Sequence, residues 1–240
     1  MEIGTDSFIK ALKELKNSII SIKTEKYEDN HKRRLFYSLM DMIAKTVIQK
    51  PPSNKTRFLE FIHQFCDWEY SRYVSAQQLA YSLRSCNFPE FSQLSLLAEK
   101  TLSSWKTGHA VLLELDIPYA VAEKLWPSGM KLSGKVLDDF THANLLYLLR
   151  NSLVHEMRPL GHPHELFDLQ VPHYVHRSEL YRDDSNNLAL KHASWELIHP
   201  ISFFVDLVDC AVRNAEQYFV ESKINPIDKF GFSSNWIAFK

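Results

Sequence analysis

Hydrophobic residues recur at steps of three and four along most of this chain, which is the spacing of one helical face. Breaker residues separate these stretches at Pro51-Pro52, Phe88-Pro89 and Thr107-Gly108. The pattern predicts amphipathic helices in the segments 5–22, 35–47, 53–68, 76–85, 91–105, 118–126, 137–157 and 200–222. We therefore expect a mainly all-α protein, built as an antiparallel helical bundle.

Three short segments depart from the helical pattern and are typical of strands. An apolar run lies within 109–117, and residues 171–176 and 195–198 are rich in β-branched and aromatic side chains. The turn-forming segment 183–187 lies between the last two, which favours a small β-hairpin. We divide the chain into an N-terminal helical region at 1–88 packed on the core, a helical core at 89–222 and a tail at 223–240. The apolar tail is expected to dock on its own domain or on a partner.

Composition narrows the choice of function. A chain of 240 residues with 45% hydrophobic residues can bury a sizeable core, and only 6 glycines favour helices. The formal net charge of -1 argues against a strongly basic coat for nucleic acid, so any RNA contact is expected to be local. The 3 cysteines form no Cys-x-x-Cys pair, and we find no signal sequence or membrane-spanning run. These features predict a cytoplasmic protein that does not contact a membrane.

The segment 144–156 combines leucines at helical spacing with three polar groups. We expect its leucine stripe to be buried; the stripe is formed by Leu145, Leu148 and Leu149. Three polar residues, Arg150, Asn151 and His155, interrupt this apolar sequence. Burying such groups without hydrogen-bond partners costs free energy. Asn151 and His155 are four residues apart and therefore share a helical face. A cation, an amide and an imidazole together suit the handling of a phosphodiester.

After a leucine-rich helix, Arg150 and Asn151 are followed by three further residues and then by His155. This order resembles the Arg-(four to six residues)-His motif of the HEPN superfamily. The resemblance covers the motif and the helical frame at about 89–222. It implies an all-helical homodimer that cleaves RNA without a metal or other cofactor, through attack of the 2′-hydroxyl on the adjacent phosphate. The products would carry a 2′,3′-cyclic phosphate and a 5′-hydroxyl, and the cellular role would be that of a toxin or an anti-phage defence effector.

The same resemblance implies roles for single residues. His155 would be the general acid or base, since its unperturbed pKa lies near neutrality. Arg150 would hold the phosphate and stabilise its charge, and Asn151 would orient the phosphate or His155. Glu156 and Arg158 are expected to contact the substrate, and an antitoxin or regulatory protein is an expected partner. Met157 stands where some toxin members of the family carry a tyrosine that a partner enzyme adenylylates, so that route of control is in doubt.

Two other function classes stay open at this point. The first is a catalytically silent HEPN-like dimer that binds a nucleotide or a protein. The second is a metal-dependent hydrolase, because imidazole is a common metal ligand and five histidines fall close together: His155, His162, His164, His173 and His176. Their spacing matches no standard motif such as His-Glu-x-x-His.

Overall fold

The computed structural model describes residues 2–86, 88–156, 167–182 and 188–229. The described chain is mainly helical and carries one small antiparallel sheet. Its helices are α1 (Glu2–Ser21), α2 (Glu28–Val47), α3 (Asn54–Phe65), α4 (Ala76–Arg84), α5 (Ser92–Ser104), α6 (Tyr119–Leu125), α7 (His142–His155) and α8 (Ile201–Ser222). Its strands are β1 (Val111–Leu112), β2 (His173–Arg182) and β3 (Leu188–Ile198).

Contacts between residues divide the chain into two compact units. The first unit comprises Met1–Asp67 with Val205–Lys240, and the second comprises Trp68–Phe204. These bounds differ from the three predicted segments at 1–88, 89–222 and 223–240. The difference arises because α4 belongs with α5, against which it packs, and because α8 crosses the boundary.

Helices α1, α2 and α3 build the first unit together with the greater part of α8. The start of α3 is fixed by Ser53, whose hydroxyl accepts a hydrogen bond from the Thr56 amide at 3.0 Å, as an N-cap residue should. Aromatic side chains join its helices; Phe8 and Phe219, for example, meet edge to face at 5.9 Å. Two apolar residues of α1 and α2, Leu15 and Leu35, are 46% and 42% exposed. Both lie on the rim of a shallow groove between α1 and α2.

The second unit contains the sheet and the motif helix. Strands β2 and β3 form an antiparallel hairpin in which His176 faces Trp195, and β1 adds to the other edge of β2 through Val111 and Tyr174. The hairpin was predicted, and both strands are longer than the sequence pattern indicated. The core beneath them is built from large buried side chains that include Phe91, Leu94, Trp105, Phe140 and Tyr174.

Most predicted helices are confirmed, with changes at their ends. The motif helix was expected to begin near Leu137, but Leu137–Phe140 form a 3-10 turn and α7 starts after Thr141. Thr141 is the N-cap of α7, because its hydroxyl accepts a hydrogen bond from the Asn144 amide at 3.4 Å. The predicted turn at 183–187, the segment 157–166 and the apolar end of the tail lie outside the described residues.

Candidate functional site

Helix α7 carries the motif, and its buried face differs from the predicted one. Its deepest apolar side chains are Ala143, Leu146 and Leu153, each with no exposed surface. The predicted stripe is wrong in part, because Leu148 is 44% exposed and Leu145 and Leu149 are only half-buried. These three leucines are turned about the helix axis from the deepest face, since each residue advances an α-helix by about 100°, which sets Leu145 about 100° away from Leu146. They line a pocket instead of filling the core.

Arg150 brings the motif residues together near the carboxyl end of α7. One guanidinium nitrogen, Nη1, donates to Asn151 Oδ1 at 2.9 Å and lies 3.2 Å from His155 Nε2. A guanidinium only donates, so Nε2 accepts this hydrogen bond and the ring proton sits on Nδ1. The guanidinium carbon also lies 6.0 Å from the centre of the Tyr147 ring, which supports the cation from one turn earlier. The three predicted catalytic side chains therefore form one hydrogen-bonded cluster.

The cluster is open to ligands. Arg150 and Asn151 are half-buried, and His155 is exposed at the end of the helix. Leu148 lies on the same side of the helix as Asn151 and His155, three and seven residues before them. Glu156, a predicted substrate contact, is exposed and is the C-cap residue of α7, where its amide donates to the Ser152 carbonyl at 3.1 Å. Arg158, the other predicted substrate contact, lies outside the described residues.

A pocket of about 340 Å³ adjoins the motif helix on the side facing β3. This volume falls at the lower end of the range for small-molecule sites. Leu148 lines this pocket and also lies on the side of α7 that carries Asn151 and His155. The lining is apolar with a few polar groups and consists of Gln78, Leu145, Leu148, Leu149, Trp195, Glu196, Leu197, Ile198 and His199.

The second unit contains a buried polar network that was not predicted from the sequence. His142, at the start of α7, places Nε2 2.8 Å from Asp116 Oδ2 and Nδ1 2.9 Å from the Tyr70 carbonyl oxygen. The Tyr174 hydroxyl lies 2.8 Å from both Asp116 Oδ2 and Ser75 Oγ. The Ala76 amide donates to Asp116 Oδ1 at 2.7 Å, so this carboxyl group has three neighbours that can donate hydrogen bonds. The carboxylate of Asp116 within the apolar run at 109–117 was a signal that could have indicated such a network, because a buried carboxylate needs partners.

Chemistry fixes several proton positions in this network. The Tyr70 carbonyl only accepts, so His142 Nδ1 carries a proton. A phenol has a single proton; when it is donated to Asp116, Ser75 must supply its own proton to the phenol oxygen. Burial raises the pKa of the Tyr174 hydroxyl well above its ordinary value, and the negative charge of Asp116 raises it further.

A serine, an aspartate and a histidine in one cluster invite comparison with a hydrolase triad, but the geometry does not support one. These three side chains and that of Tyr174 are all buried, and the hydroxyl of Ser75 is paired with Tyr174 rather than with His142. Ser75 is also the N-cap of α4, accepting from the Gln78 amide at 3.3 Å. The network has no face open to a substrate. It joins α4, β2, α7 and the turn Glu69–Arg72 through hydrogen bonds, and thus ties these elements together.

The candidate metal-binding histidines that lie within the described residues do not form a metal-binding cluster. His173 and His176 lie on β2 three residues apart, which directs them to opposite sides of the strand. His173 is buried and its Nδ1 donates to the Val171 carbonyl at 2.8 Å, whereas His176 packs against Trp195. Among the residues that the structure describes, no three His, Cys, Asp or Glu side chains form a metal-binding group. His162 and His164 lie outside those residues.

Comparison of the chain with protein-family models, with curated proteins and with solved structures finds no match. The resemblance to the HEPN superfamily therefore rests on the Arg150-Asn151-His155 motif and its helix. Within the described ranges, no helix is long and apolar enough to cross a membrane.

Proposed function

We propose that the protein is a metal-independent endoribonuclease of the HEPN type. The observation that carries the proposal is the contact of one Arg150 nitrogen with both Asn151 Oδ1 and His155 Nε2, at 2.9 and 3.2 Å. The three side chains lie within one turn and a half of α7, and the shared contact places a cation, an amide and an imidazole within reach of one bound group. Cleavage of RNA by its own 2′-hydroxyl needs a group that transfers protons and a cation that stabilises the phosphate, and an imidazole beside a guanidinium supplies both.

The chemistry follows from these groups. The RNA 2′-oxygen forms a bond to phosphorus while the bond from phosphorus to the 5′-oxygen breaks. The 2′-oxygen loses its proton, the departing 5′-oxygen gains one, and His155 acts as the base or the acid in this exchange. Bound phosphate oxygens would compete for the donors of Arg150, which would free His155 Nε2 to handle a proton. Arg150 would then stabilise the charge on the phosphate while Asn151 orients it.

The exposed side of α7 is the surface on which we propose that a second copy of the chain packs. Leu148, Asn151 and His155 form a stripe of one apolar and two polar side chains, and an isologous dimer would set two such stripes face to face. A composite site would then contain two copies of the motif. We propose a homodimer of this kind, acting as a toxin or a defence effector in the cytoplasm and restrained by an antitoxin or a regulatory protein.

The test is cleavage of single-stranded RNA, and of DNA with the same sequence, in the presence of EDTA. We expect cleavage of the RNA alone, because only RNA supplies the 2′-hydroxyl. Arg150→Ala and His155→Ala should each lower the rate by a factor on the order of 100 or more, and Asn151→Ala should lower it less. Arg72→Ala and His109→Ala remove the same side chains from exposed positions of the same unit and should leave the rate unchanged.

Two results would favour the other function classes. A folded dimer that binds RNA or a nucleotide without cutting it would identify a silent binding module, for which the 340 Å³ pocket beside α7 is the candidate site. Activity that disappears with EDTA and returns with Zn²⁺ or Mn²⁺ would identify a metal-dependent hydrolase. In that case the double substitution His162→Ala/His164→Ala should abolish cleavage, whereas the HEPN proposal expects it to persist.

A further inference from the structure

A second pocket in the Trp68–Phe204 unit lies apart from the motif and has a different chemistry. Its volume is about 320 Å³. Three aromatic side chains and two carboxylates stand among its apolar walls. The lining consists of Trp68, Glu69, Tyr70, Leu112, Leu113, Glu114, Val171, Pro172 and Phe203.

The aromatic wall is held in place by its neighbours. Trp68 meets Phe203 edge to face at 4.9 Å and stacks on His142 at 6.3 Å, with the two rings inclined by 20°. The Tyr70 backbone is anchored by His142 Nδ1, which donates to its carbonyl at 2.9 Å. The buried network therefore fixes the turn that carries Trp68, Glu69 and Tyr70, and the wall is formed before any ligand arrives.

The opposite wall is anchored by the sheet. Leu112 of β1 pairs with His173 of β2, which sets Leu113 and Glu114 beside Val171 and Pro172. Leu113 and Pro172 are buried, whereas Glu114 and Glu69 are exposed and reach solvent. Both sides of the pocket thus belong to segments tied down by hydrogen bonds.

The charges of this pocket are all of one sign. Glu69 and Glu114 are the only charged residues in its lining, and no ion pair joins either carboxylate to a lysine or arginine within the described ranges. Partial burial raises the pKa of the Tyr70 hydroxyl, and the negative charges of Glu69 and Glu114 raise it further, so both charges act at the pocket wall. The charged side chains at this pocket are therefore both negative, although its walls are mainly apolar.

We propose that this pocket binds a small organic cation, namely an ammonium ion whose hydrogens are replaced by methyl or other alkyl groups. The alkyl groups would contact the apolar walls and the rings of Trp68, Tyr70 and Phe203, whose π faces attract cations. Glu69 and Glu114 would balance the charge at the mouth. A metal ion or a protonated primary amine fits less well, because each needs polar ligands in the place of apolar walls. This site is independent of the proposed ribonuclease activity.

Titration calorimetry with a matched pair of probes tests the proposal on the full chain. Choline carries a trimethylammonium group, and 3,3-dimethyl-1-butanol has the same shape with a neutral carbon in place of nitrogen. We expect choline to bind at least about tenfold more tightly than its neutral isostere. Equal affinity for choline and its isostere would overturn the proposal, because it would show a merely hydrophobic pocket. The proposal would also be overturned if choline did not bind even at concentrations well above millimolar.

Variants locate the effect in this pocket. Glu69→Gln/Glu114→Gln should weaken choline binding about tenfold and leave the isostere unaffected, since two cation–carboxylate attractions are lost. Glu25→Gln/Glu90→Gln removes the same charge from exposed positions elsewhere and should change nothing. Tyr70→Leu should weaken choline binding, whereas Tyr70→Phe keeps the ring and should preserve it. Choline binding that survives both the double glutamine variant and Tyr70→Leu would place the cation elsewhere and refute the assignment.

Discussion

The buried carboxylate of Asp116 offers a quantitative test of how the second unit is held together. Replacing Asp116 by alanine leaves the Ala76 amide and His142 Nε2 without their partner, while Tyr174 keeps its contact with Ser75. An unsatisfied buried polar group costs about 1–3 kcal/mol, so we expect Asp116→Ala to lower the free energy of unfolding by about 3–5 kcal/mol.

Asparagine at the same position separates hydrogen bonding from charge. Its oxygen can accept from the Ala76 amide, and its NH₂ group can donate to His142 Nε2 and to the Tyr174 oxygen. This arrangement requires a neutral His142 with its proton on Nδ1, which the Tyr70 carbonyl favours. We therefore expect Asp116→Asn to recover most of the loss. Tyr174→Phe should cost about 1–2 kcal/mol, because Asp116 retains two donors.

Urea denaturation followed by tryptophan fluorescence is a suitable assay. Four of the five tryptophans, Trp68, Trp105, Trp126 and Trp195, belong to the second unit and report its unfolding. If asparagine proves as destabilising as alanine, the charge and not the hydrogen bonds would hold the network. An alanine variant that loses less than about 1 kcal/mol would show that the network contributes little.

Three further predictions concern pH, growth and assembly. The pKa of Tyr174 is raised well above its ordinary value and that of Tyr119 to about 12, so the folded chain keeps protons that the unfolded chain loses near pH 10. The contribution of these two tyrosines to the free energy of unfolding should therefore be fully present below pH 10 and be lost as pH rises above it. Tyr174→Phe should make the decrease of the free energy of unfolding with pH less steep by about 1.4 kcal/mol per pH unit. Expression of the chain should slow cell growth and His155→Ala should relieve this, whereas equal toxicity of the two would point to another cause. Sedimentation should show a dimer at micromolar concentration; a monomer that retains activity would contradict the composite site.

Elements whose signal is local could be predicted from the sequence. The helix α3 follows from its apolar spacing and from Ser53, which caps it through a residue only three positions away. The hairpin of β2 and β3 follows from two β-rich segments on either side of a turn-forming sequence. The meeting of Arg150, Asn151 and His155 also lies within one turn and a half of helix, so sequence spacing could indicate it.

Features that depend on distant partners could not be predicted. Asp116 lies 58 residues from Tyr174, and Ser75 lies 99 residues from it, so no window of sequence contains the network. The buried face of α7 was placed wrongly at Leu148 for the same reason. Leucines occur on both sides of this helix, and the surrounding elements decide which side is covered. The aromatic pocket likewise joins four separate segments of the second unit.

The proposed function is tested most directly by the ends of the cleaved RNA. Purified protein would be incubated with a single-stranded RNA in the presence of EDTA, and the products would be analysed by mass spectrometry. Attack by the substrate's own 2′-hydroxyl predicts a 2′,3′-cyclic phosphate on one fragment and a 5′-hydroxyl on the other, both absent with His155→Ala. Fragments that carry a 5′-phosphate would contradict the proposed mechanism, since their formation requires attack by water.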